Sequence, residues 1–242
     1  MQIDCLKVRL YEIFTSIEGE GLLYGTKTLF VRLAGCPFKC FYCDTKDAIP
    51  MNSGQEYTLG EAKKMIEKSL AKNTYKVNFT GGDPLAQSEA VAELAKFVQI
   101  KKIPTYLESS CYDSTRFAQV LPSIDFIKIE FKTADSEFVD SKHYSKLLEN
   151  ELECLKLAVE SRKVTYIKVV VSAKTKLGPF EKLLKSIFDI VSKSSLAGFI
   201  IQPSYGIAEP RMEQLLNFYD LVHAYYKEVR IVPQLHKFIG AP

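Results

Sequence analysis

Short apolar runs rich in β-branched and aromatic residues alternate with amphipathic helical patterns along almost all of the 242 residues. The strand candidates are residues 8–14, 28–33, 77–80, 105–108, 126–131, 166–171, 199–202 and 229–232. The helix candidates are residues 62–70, 88–99, 142–160, 180–191 and 209–226. Most of the strand candidates are almost continuously hydrophobic, as expected of strands covered on both faces. The alternation predicts an α/β fold with a mostly parallel sheet and helices outside it.

Composition and charge narrow the class of protein further. No Pro-, Gly- or Ser-rich linker and no repeat interrupts the chain, so we expect a single domain over residues 1–242. The formal net charge is only +3, which is well short of a dedicated nucleic-acid-binding domain. No signal peptide or membrane-length apolar run is visible, so we expect a cytoplasmic protein with no membrane partner. Thiols stay reduced in that compartment, and the cysteines are therefore ligands, nucleophiles or core residues before they are disulfides.

Three cysteines follow the second strand candidate at the spacing C-x3-C-x2-C, as Cys36, Cys40 and Cys43. Ligands of parallel α/β sheets bind at the carboxyl ends of the strands, which is where this loop begins. Soft thiolates at this spacing suit zinc or an iron–sulfur cluster. A closed zinc site takes four ligands, and no histidine lies near the loop in sequence. Three alternatives follow: a four-iron cluster with one open iron, a zinc site completed from a distance, or three cysteines without a ligand.

The cysteine spacing, with the aromatic Tyr42 directly before the last cysteine, resembles the radical SAM enzymes. The resemblance implies a partial (β/α) barrel of about six parallel strands. It implies that the three cysteines hold a [4Fe–4S] cluster, and are in that sense catalytic, while the open iron binds S-adenosylmethionine (SAM). In that family an electron cleaves SAM to a 5′-deoxyadenosyl radical, so an external electron donor is implied as well.

Four further segments at strand ends resemble the SAM-binding segments of that family. The clearest is TGGDP at residues 80–84, which is similar to a GGEP-type motif with Asp83 where Glu is usual. For the other three, the alternatives are an ordinary polar strand end or a surface lysine. The residues implied to contact SAM are Gly81, Gly82, Asp83, Ser109, Lys132 and Gln202.

The stretch before the cysteines narrows the family. Residues 11–21 read YEIFTSIEGEG, and FVRLAGC and CDT follow at residues 30–36 and 43–45. With QLHK at residues 234–237, these resemble the 7-carboxy-7-deazaguanine synthases of queuosine and archaeosine precursor synthesis. The resemblance implies a lyase that converts 6-carboxy-5,6,7,8-tetrahydropterin to 7-carboxy-7-deazaguanine with loss of ammonia. It also implies catalytic use of SAM, dependence on Mg²⁺ and a homodimer.

Several residues suit that substrate. Its ring offers N–H donors that the carboxylate of Glu20 can accept, and its carboxylate suits the guanidinium of Arg32. Mg²⁺ prefers oxygen ligands, and Thr45 places a hydroxyl beside the last cysteine. The residues expected to bind the substrate are Glu18, Glu20, Arg32, His236 and Pro242, the last through its terminal carboxylate. The alternative for Pro242 is a frayed terminus.

Three positions depart from the family pattern and leave the substrate open. Glu18 replaces Gln, Asp83 replaces Glu and Glu130 replaces Asp. The first change removes a donor and adds a charge, so the ring contact of Glu18 differs or its carboxyl is protonated. A small activase that makes a glycyl radical on a partner protein is one alternative function, and a zinc-binding interaction module is another. The remaining cysteines are expected to be core or surface thiols: Cys5, Cys111 and Cys154.

Overall fold

The computed structural model describes residues 6–135 and 141–241, and within them nine strands form one sheet. The strands are β1 (Lys7–Ile17), β2 (Lys27–Leu33), β3 (Gln55–Thr58), β4 (Lys76–Gly81), β5 (Thr105–Ser109), β6 (Phe126–Phe131), β7 (Val164–Val171), β8 (Gly198–Pro203) and β9 (Val229–Ile231). Their order across the sheet is β3-β1-β2-β4-β5-β6-β7-β8-β9. Strand β1 is antiparallel to both neighbours, and β2 with β4 to β9 runs parallel. The parallel part is therefore slightly larger than the expected six strands.

Helices connect the parallel strands, as the alternation in the sequence predicts. They are α1 (Leu59–Ser69), α2 (Ser88–Ile100), α3 (Ser114–Val120), α4 (Ser141–Glu160), α5 (Leu177–Ile190), α6 (Met212–Tyr225) and α7 (Leu235–Ile239). All predicted strands and helices are present, whereas β3, α3 and α7 were not predicted. Helix α1 begins at a capping box in which Thr58 and Glu61 satisfy each other's backbone N–H groups. No helix in the described part of the chain combines the length and apolarity that crossing a bilayer requires.

The face of the sheet that the helices cover, which we call the outer face, holds the main hydrophobic core. Its strand residues have no exposed surface and are Leu29, Val31, Val77, Phe79, Leu107, Ile127, Ile129, Ile167, Val169, Phe199 and Ile201. Helix residues such as Ile66, Leu94 and Leu184 complete it. Full burial of one such side chain stabilises the fold by about 1.5–3 kcal/mol, so this face supplies most of the folding free energy.

The opposite, inner face is polar. Register places Phe30 beside Asn78 and Asn78 beside Tyr106, and further along it places Glu130 beside Lys168. The buried polar side chains at these alternate positions are Lys76, Asn78, Lys128, Glu130, Lys132 and Lys168. The parallel strands are buried on both faces, as expected. The inner face nevertheless differs from the outer one, because its charged and amide side chains lie beside only a small apolar cluster of Tyr106, Tyr166, Ile200 and Val232.

One loop crosses the amino-terminal end of the parallel strands. Because β1 runs antiparallel, the loop that follows it, residues 18–26, leaves from that end of the sheet. We call it the acid loop, since it carries Glu18 and Glu20. Two backbone hydrogen bonds close it, from Glu18 to Thr26 (2.8 Å) and from Gly25 to Glu18 (2.7 Å). Gly21 lies so close to Tyr166 of β7 that a Cβ atom would overlap the phenol, so the loop reaches across the curved interior of the sheet.

Candidate active site

The inner face and the loops at its two ends enclose a cavity of about 510 Å³. The cysteine loop, residues 36–45, and the turn after β4 form one part of its wall, and the acid loop and residues 234–241 form another. Every site residue predicted from the sequence lines this cavity except Pro242, which lies outside the described residues. A cavity of this size suits a small-molecule ligand.

The three cysteines of the loop share the cavity wall, each partly exposed to it. Burial, with the Asp83 carboxylate nearby, raises the pKa of the Cys36 thiol to about 12. Thiolate ligands here therefore need a bound cationic centre to stay deprotonated.

The paired glycines after β4 pack directly against the cysteine loop. A Cβ atom at Gly81 would overlap the backbone of Leu33, and one at Gly82 would overlap the carbonyl oxygens of Gly35 and Ala48. Gly81 also has a φ of +133°, a conformation that other residues rarely adopt. The close approach that these glycines permit is therefore, in the first place, an approach of two protein segments, and it sets the turn beside the cysteines.

Two residues expected to bind SAM are bonded to each other. One carboxylate oxygen of Asp83 accepts from Ser109 Oγ (2.9 Å) and Leu85 N (3.0 Å). The other accepts from the backbone N (2.9 Å) and Oγ (2.6 Å) of Ser110. Asp83 therefore ties the end of β4 to the end of β5, and the geometry makes it a brace for the turn.

Lys132 connects the end of β6 to the cysteine loop. Its Nζ donates to Tyr42 Oη at 3.2 Å and forms an ion pair with Glu130. Burial opposes the charge, but the carboxylate of Glu130 outweighs it and raises the pKa of Lys132 well above its ordinary value. The lysine is therefore a permanent cation beside the aromatic residue that precedes Cys43.

Gln202, at the end of β8, presents an unused acceptor. Its side chain is 4% exposed and lines the cavity, and its Oε1 atom has no hydrogen-bond partner among the described residues. A buried amide oxygen without a partner costs free energy. The atom therefore suits an N–H donor of a ligand, and the chain fits a nitrogen-rich cofactor here.

Arg32 and Thr45 lie together between β2 and the cysteine loop. Arg32 Nη1 donates to Thr45 Oγ1 at 2.9 Å, and Arg32 Nε donates to Glu12 at 2.7 Å. Thr45 Oγ1 in turn donates to Asp44 at 3.0 Å. The guanidinium also lies 5.4 Å from the ring centroid of Phe14. Two of its three nitrogens are thus held by the protein, which fixes the plane of the guanidinium and with it the position of Nη2.

The acid loop and the C-terminal segment are fastened to each other and to Asp44. Glu20 accepts from Lys168 Nζ (2.7 Å) and from Gln234 Nε2 (2.6 Å), and Gln234 also donates to Asp44 (3.1 Å). His236 packs against Gly19 and its Nε2 lies 3.3 Å from Asp44. The pKa of Asp44 lies well below its ordinary range, because His236 and neighbouring donors outweigh burial. The C-terminal segment is thus attached directly beside Cys43.

Ligand atoms of Glu20, Asp44 and His236 lie within 4.8 Å of one another. Lysine and glutamine donors already occupy the two carboxylates, so this group is satisfied by the protein. The Mg²⁺ ligand expected from the sequence, Thr45, is not part of it.

Sequence reasoning assigned no role to Asn78, Glu108, Lys128 and Lys168 of the inner face, and it named Glu130 only as a departure from the family pattern. Asn78 donates to Glu108 (3.0 Å), and Glu108 lies 3.8 Å from Lys128. Lys128 and Lys168 each lie 3.1 Å from Glu130. The available signal was a charged or amide residue at alternate positions of an apolar strand, as in KVN and KIEFK.

The remaining sulfur and imidazole groups lie away from this cavity. Cys111 and Cys154 are buried in the main core, and Cys154 Sγ lies 3.6 Å from the carbonyl oxygen of Cys111. These two are core thiols, as expected, whereas Cys5 lies outside the described residues. His143 is exposed, and His223 stacks on Tyr219.

Comparison with known proteins identifies the class. The sequence profile of the radical SAM superfamily matches residues 30–187, and the chain belongs to this superfamily. Membership implies a [4Fe–4S] cluster and SAM, which agrees with three free cysteines on the cavity wall and the unpaired acceptor of Gln202. A zinc-binding interaction module is thereby set aside.

Relatives along the whole chain identify the branch. A 7-carboxy-7-deazaguanine synthase of Archaeoglobus fulgidus is 29% identical over 241 residues, covering 97% of this chain and 99% of the relative. One of Methanocaldococcus jannaschii is 30% identical over 244 residues, covering 95% and 98%. Within the superfamily, the chain is a member of the 7-carboxy-7-deazaguanine synthases. The crystal structure of QueE from Escherichia coli is 17% identical, covers 97% of both chains and has a TM-score of 0.68, which confirms the predicted partial-barrel fold.

Proposed function

We propose that this chain converts 6-carboxy-5,6,7,8-tetrahydropterin to 7-carboxy-7-deazaguanine with loss of ammonia. The observation that carries the proposal is that a single cavity joins the three cysteines to the acid loop. One part of its wall suits a thiolate-bound cluster, and another suits a planar ligand rich in N–H donors. The names of the full-length relatives agree with this product.

The residues at the cysteine end would hold the cofactors. Cys36, Cys40 and Cys43 would ligate the [4Fe–4S] cluster, and Gln202 would accept a hydrogen bond from SAM. Once bound, cluster and SAM supply a carbon radical that can abstract hydrogen. Asp83 braces Gly81 and Gly82 beside the cysteines, and we expect this turn to contact SAM through its backbone. Ser109 and Lys132 would contribute from the neighbouring strand ends.

The substrate would lie between Arg32 and the acid loop. Nη2 of Arg32 has no acceptor among the described residues, so it is available for the substrate carboxylate. Glu20 is held by Lys168 and Gln234 and would accept N–H groups of the pterin ring. His236, packed on Gly19, would contact the ring from the C-terminal segment. Because folding has already fixed these groups, they can orient the reacting carbon without reorganising during turnover.

Mg²⁺ would bind through the hydroxyl of Thr45. The ion prefers oxygen ligands and keeps several waters, and Thr45 faces the cavity between the last cysteine and Arg32. There it would neutralise the substrate carboxylate together with the arginine. We also expect an external electron donor and a homodimeric assembly.

An anaerobic turnover assay tests the proposal. Reconstituted protein would receive SAM, dithionite, Mg²⁺ and the pterin, with products identified by mass spectrometry. We expect 7-carboxy-7-deazaguanine from the wild type and none from Cys40→Ala. Cys154→Ala, which removes a core thiol far from the cysteine loop, is the matched control and should retain both cluster absorbance and product.

Two results would contradict the proposal. Formation of 5′-deoxyadenosine without the deazaguanine would retain radical chemistry but exclude this substrate. A fully reconstituted protein that forms neither product would favour the glycyl-radical activase.

A further inference from the structure

Glu18 is a cavity-lining carboxylate that is almost completely buried. It is 2% exposed, and its Oε2 atom accepts from Lys76 Nζ at 2.9 Å and from Asn78 Nδ2 at 3.1 Å. Two donors on one oxygen leave that atom no room for a proton. No described residue donates to Oε1, and Glu18 lines the cavity, so Oε1 is the atom that a bound ligand could reach.

Lys76 contacts Glu18 from behind the cavity wall and does not itself reach the cavity. Its side chain has no exposed surface and does not line the cavity. Its Nζ donates to Glu18, to Thr28 Oγ1 at 2.6 Å and to Thr26 Oγ1 at 3.2 Å. An ammonium has three N–H donors, whereas a neutral amine has two. Three oxygen acceptors, with the Tyr106 ring centroid 5.1 Å away, therefore form a socket for charged lysine.

The other groups around Glu18 work against its ionisation. The charged or titratable side chains that act on it or face it are Lys76, Glu20, Glu108, Tyr106 and Tyr166. Burial and then Glu108 raise the pKa of Glu18, and Lys76 is the neighbour that lowers it; with Lys76 in place the pKa is about 7. Without Lys76, Glu18 would carry a proton at neutral pH, and a protonated carboxyl is a donor as well as an acceptor.

We propose that Lys76 is a positioning residue that favours the ionised form of Glu18, and that this form, which only accepts hydrogen bonds, binds the N–H edge of the substrate's amino-pyrimidinone ring. The identity of that substrate rests on the proposed function, whereas the charge state of Glu18 does not. An acceptor-only carboxylate favours ring edges that present N–H groups and rejects edges that present lone pairs. The pair would thus contribute to specificity from behind the cavity wall.

The dependence of KM on pH tests the role of Lys76. Lys76→Met should raise KM for the pterin about tenfold near pH 8, where Glu18 of the wild type is mostly ionised, and the difference should shrink above about pH 9 as Glu18 of the variant ionises too. The matched control is Lys27→Met, since Lys27 is an exposed neighbour whose Nζ donates, among the described residues, to Lys72 O at 2.9 Å alone. It should leave KM unchanged at every pH. A KM increase in Lys76→Met that is the same at every pH, or no increase, would overturn the proposal.

If Lys76→Met fails to fold, the comparison of a double variant with Glu18→Gln still tests the proposal. The double variant Glu18→Gln/Lys76→Met removes both charges and leaves neither unpaired in the interior. Its KM should equal that of Glu18→Gln within about twofold, because Lys76 acts only through Glu18. A markedly larger KM for the double variant would show that Lys76 acts by another route.

Infrared spectroscopy separates this inference from the proposed function. At about pH 8, one unit above the pKa of wild-type Glu18, Lys76→Met should show the carbonyl band of a protonated carboxyl that wild type largely lacks and the double variant loses. Without that band the inference fails, even if the enzyme turns over the pterin. If wild type makes no product but the band appears, the proposed substrate fails and the role of Lys76 stands.

Discussion

The outer and inner faces of the sheet are built from alternate residues of the same strands, yet opposite forces govern them. Val77 and Phe79 of β4 point into a core without exposed surface. Between them, Asn78 points inward and joins two carboxylates. The outer face stabilises the fold by removing apolar surface from water. The inner face holds charges whose desolvation reduces stability. Its role is therefore in binding and catalysis rather than in stabilising the fold.

Opposite charges on the inner face offset the free-energy cost of burying one another. Glu130 lies among Lys128, Lys132 and Lys168. Burial opposes its ionisation, but the three lysines outweigh burial and hold the pKa of Glu130 well below its usual range. Glu130 is therefore a fixed anion in a cavity of fixed cations. A preorganised arrangement of this kind stabilises charge in a ligand without reorganising during the reaction.

The largest effect on stability should come from the outer face. Phe79→Ala removes a ring with no exposed surface and should lower the free energy of unfolding by about 3–5 kcal/mol. Because the ring does not touch the cavity, kcat per folded molecule should change little. Chemical denaturation and turnover at saturating substrate measure the two quantities. A loss below about 1 kcal/mol would mean that the core collapses into the space.

A substitution on the inner face should reduce turnover more than it reduces the free energy of unfolding. Glu130→Gln keeps the shape but leaves three buried lysines without their common partner, which we expect to cost about 2–4 kcal/mol. Turnover should fall by about 100-fold or more, since the charge pattern of the cavity changes. Glu149→Gln, an exposed site on α4, is the control and should change neither. Near-normal turnover in Glu130→Gln would show that the inner charges are structural.

Acid should weaken the inner face selectively. The pKa of Glu130 is lower in the folded protein than the ordinary value of 4.5 for a glutamate side chain. Its contribution is therefore present above pH 4.5 and is lost as the pH falls below 4.5 towards the folded pKa. Wild type should lose more unfolding free energy than Glu130→Gln between about pH 4.5 and about pH 3. Parallel stability curves for the two proteins would contradict the depressed pKa.

The smallest effect on stability should come from the N-terminal cap of helix α1, which lies away from the cavity. Thr58 caps α1 and accepts from the backbone N–H of Glu61 at 3.3 Å. Thr58→Ala should reduce the free energy of unfolding by about 1 kcal/mol. KM and kcat should be unchanged, because the cap lies outside the cavity wall. A kinetic change would mean that α1 is coupled to the site through β1 and β3.

The sequence predicted the strands and helices that carry a long hydrophobic pattern. It did not predict β3, whose four residues QEYT alternate too briefly to stand out, or α7 with its five residues. The cysteine spacing and the glycine turn were visible because their residues are local. The bond between Asp83 and Ser109 was not, since 26 positions separate them.

The amino-acid sequence by itself determined the α/β class, the cysteine loop and the strand ends that face it, because periodicity and spacing act over short distances along the chain. Only the tertiary structure decided which charges neutralise one another. Lys76 meets Glu18 across 58 positions, and Lys168 meets Glu20 across 148. A two-residue period shows which side chains share a face, but strand order, register and the curvature of the sheet decide which of them touch.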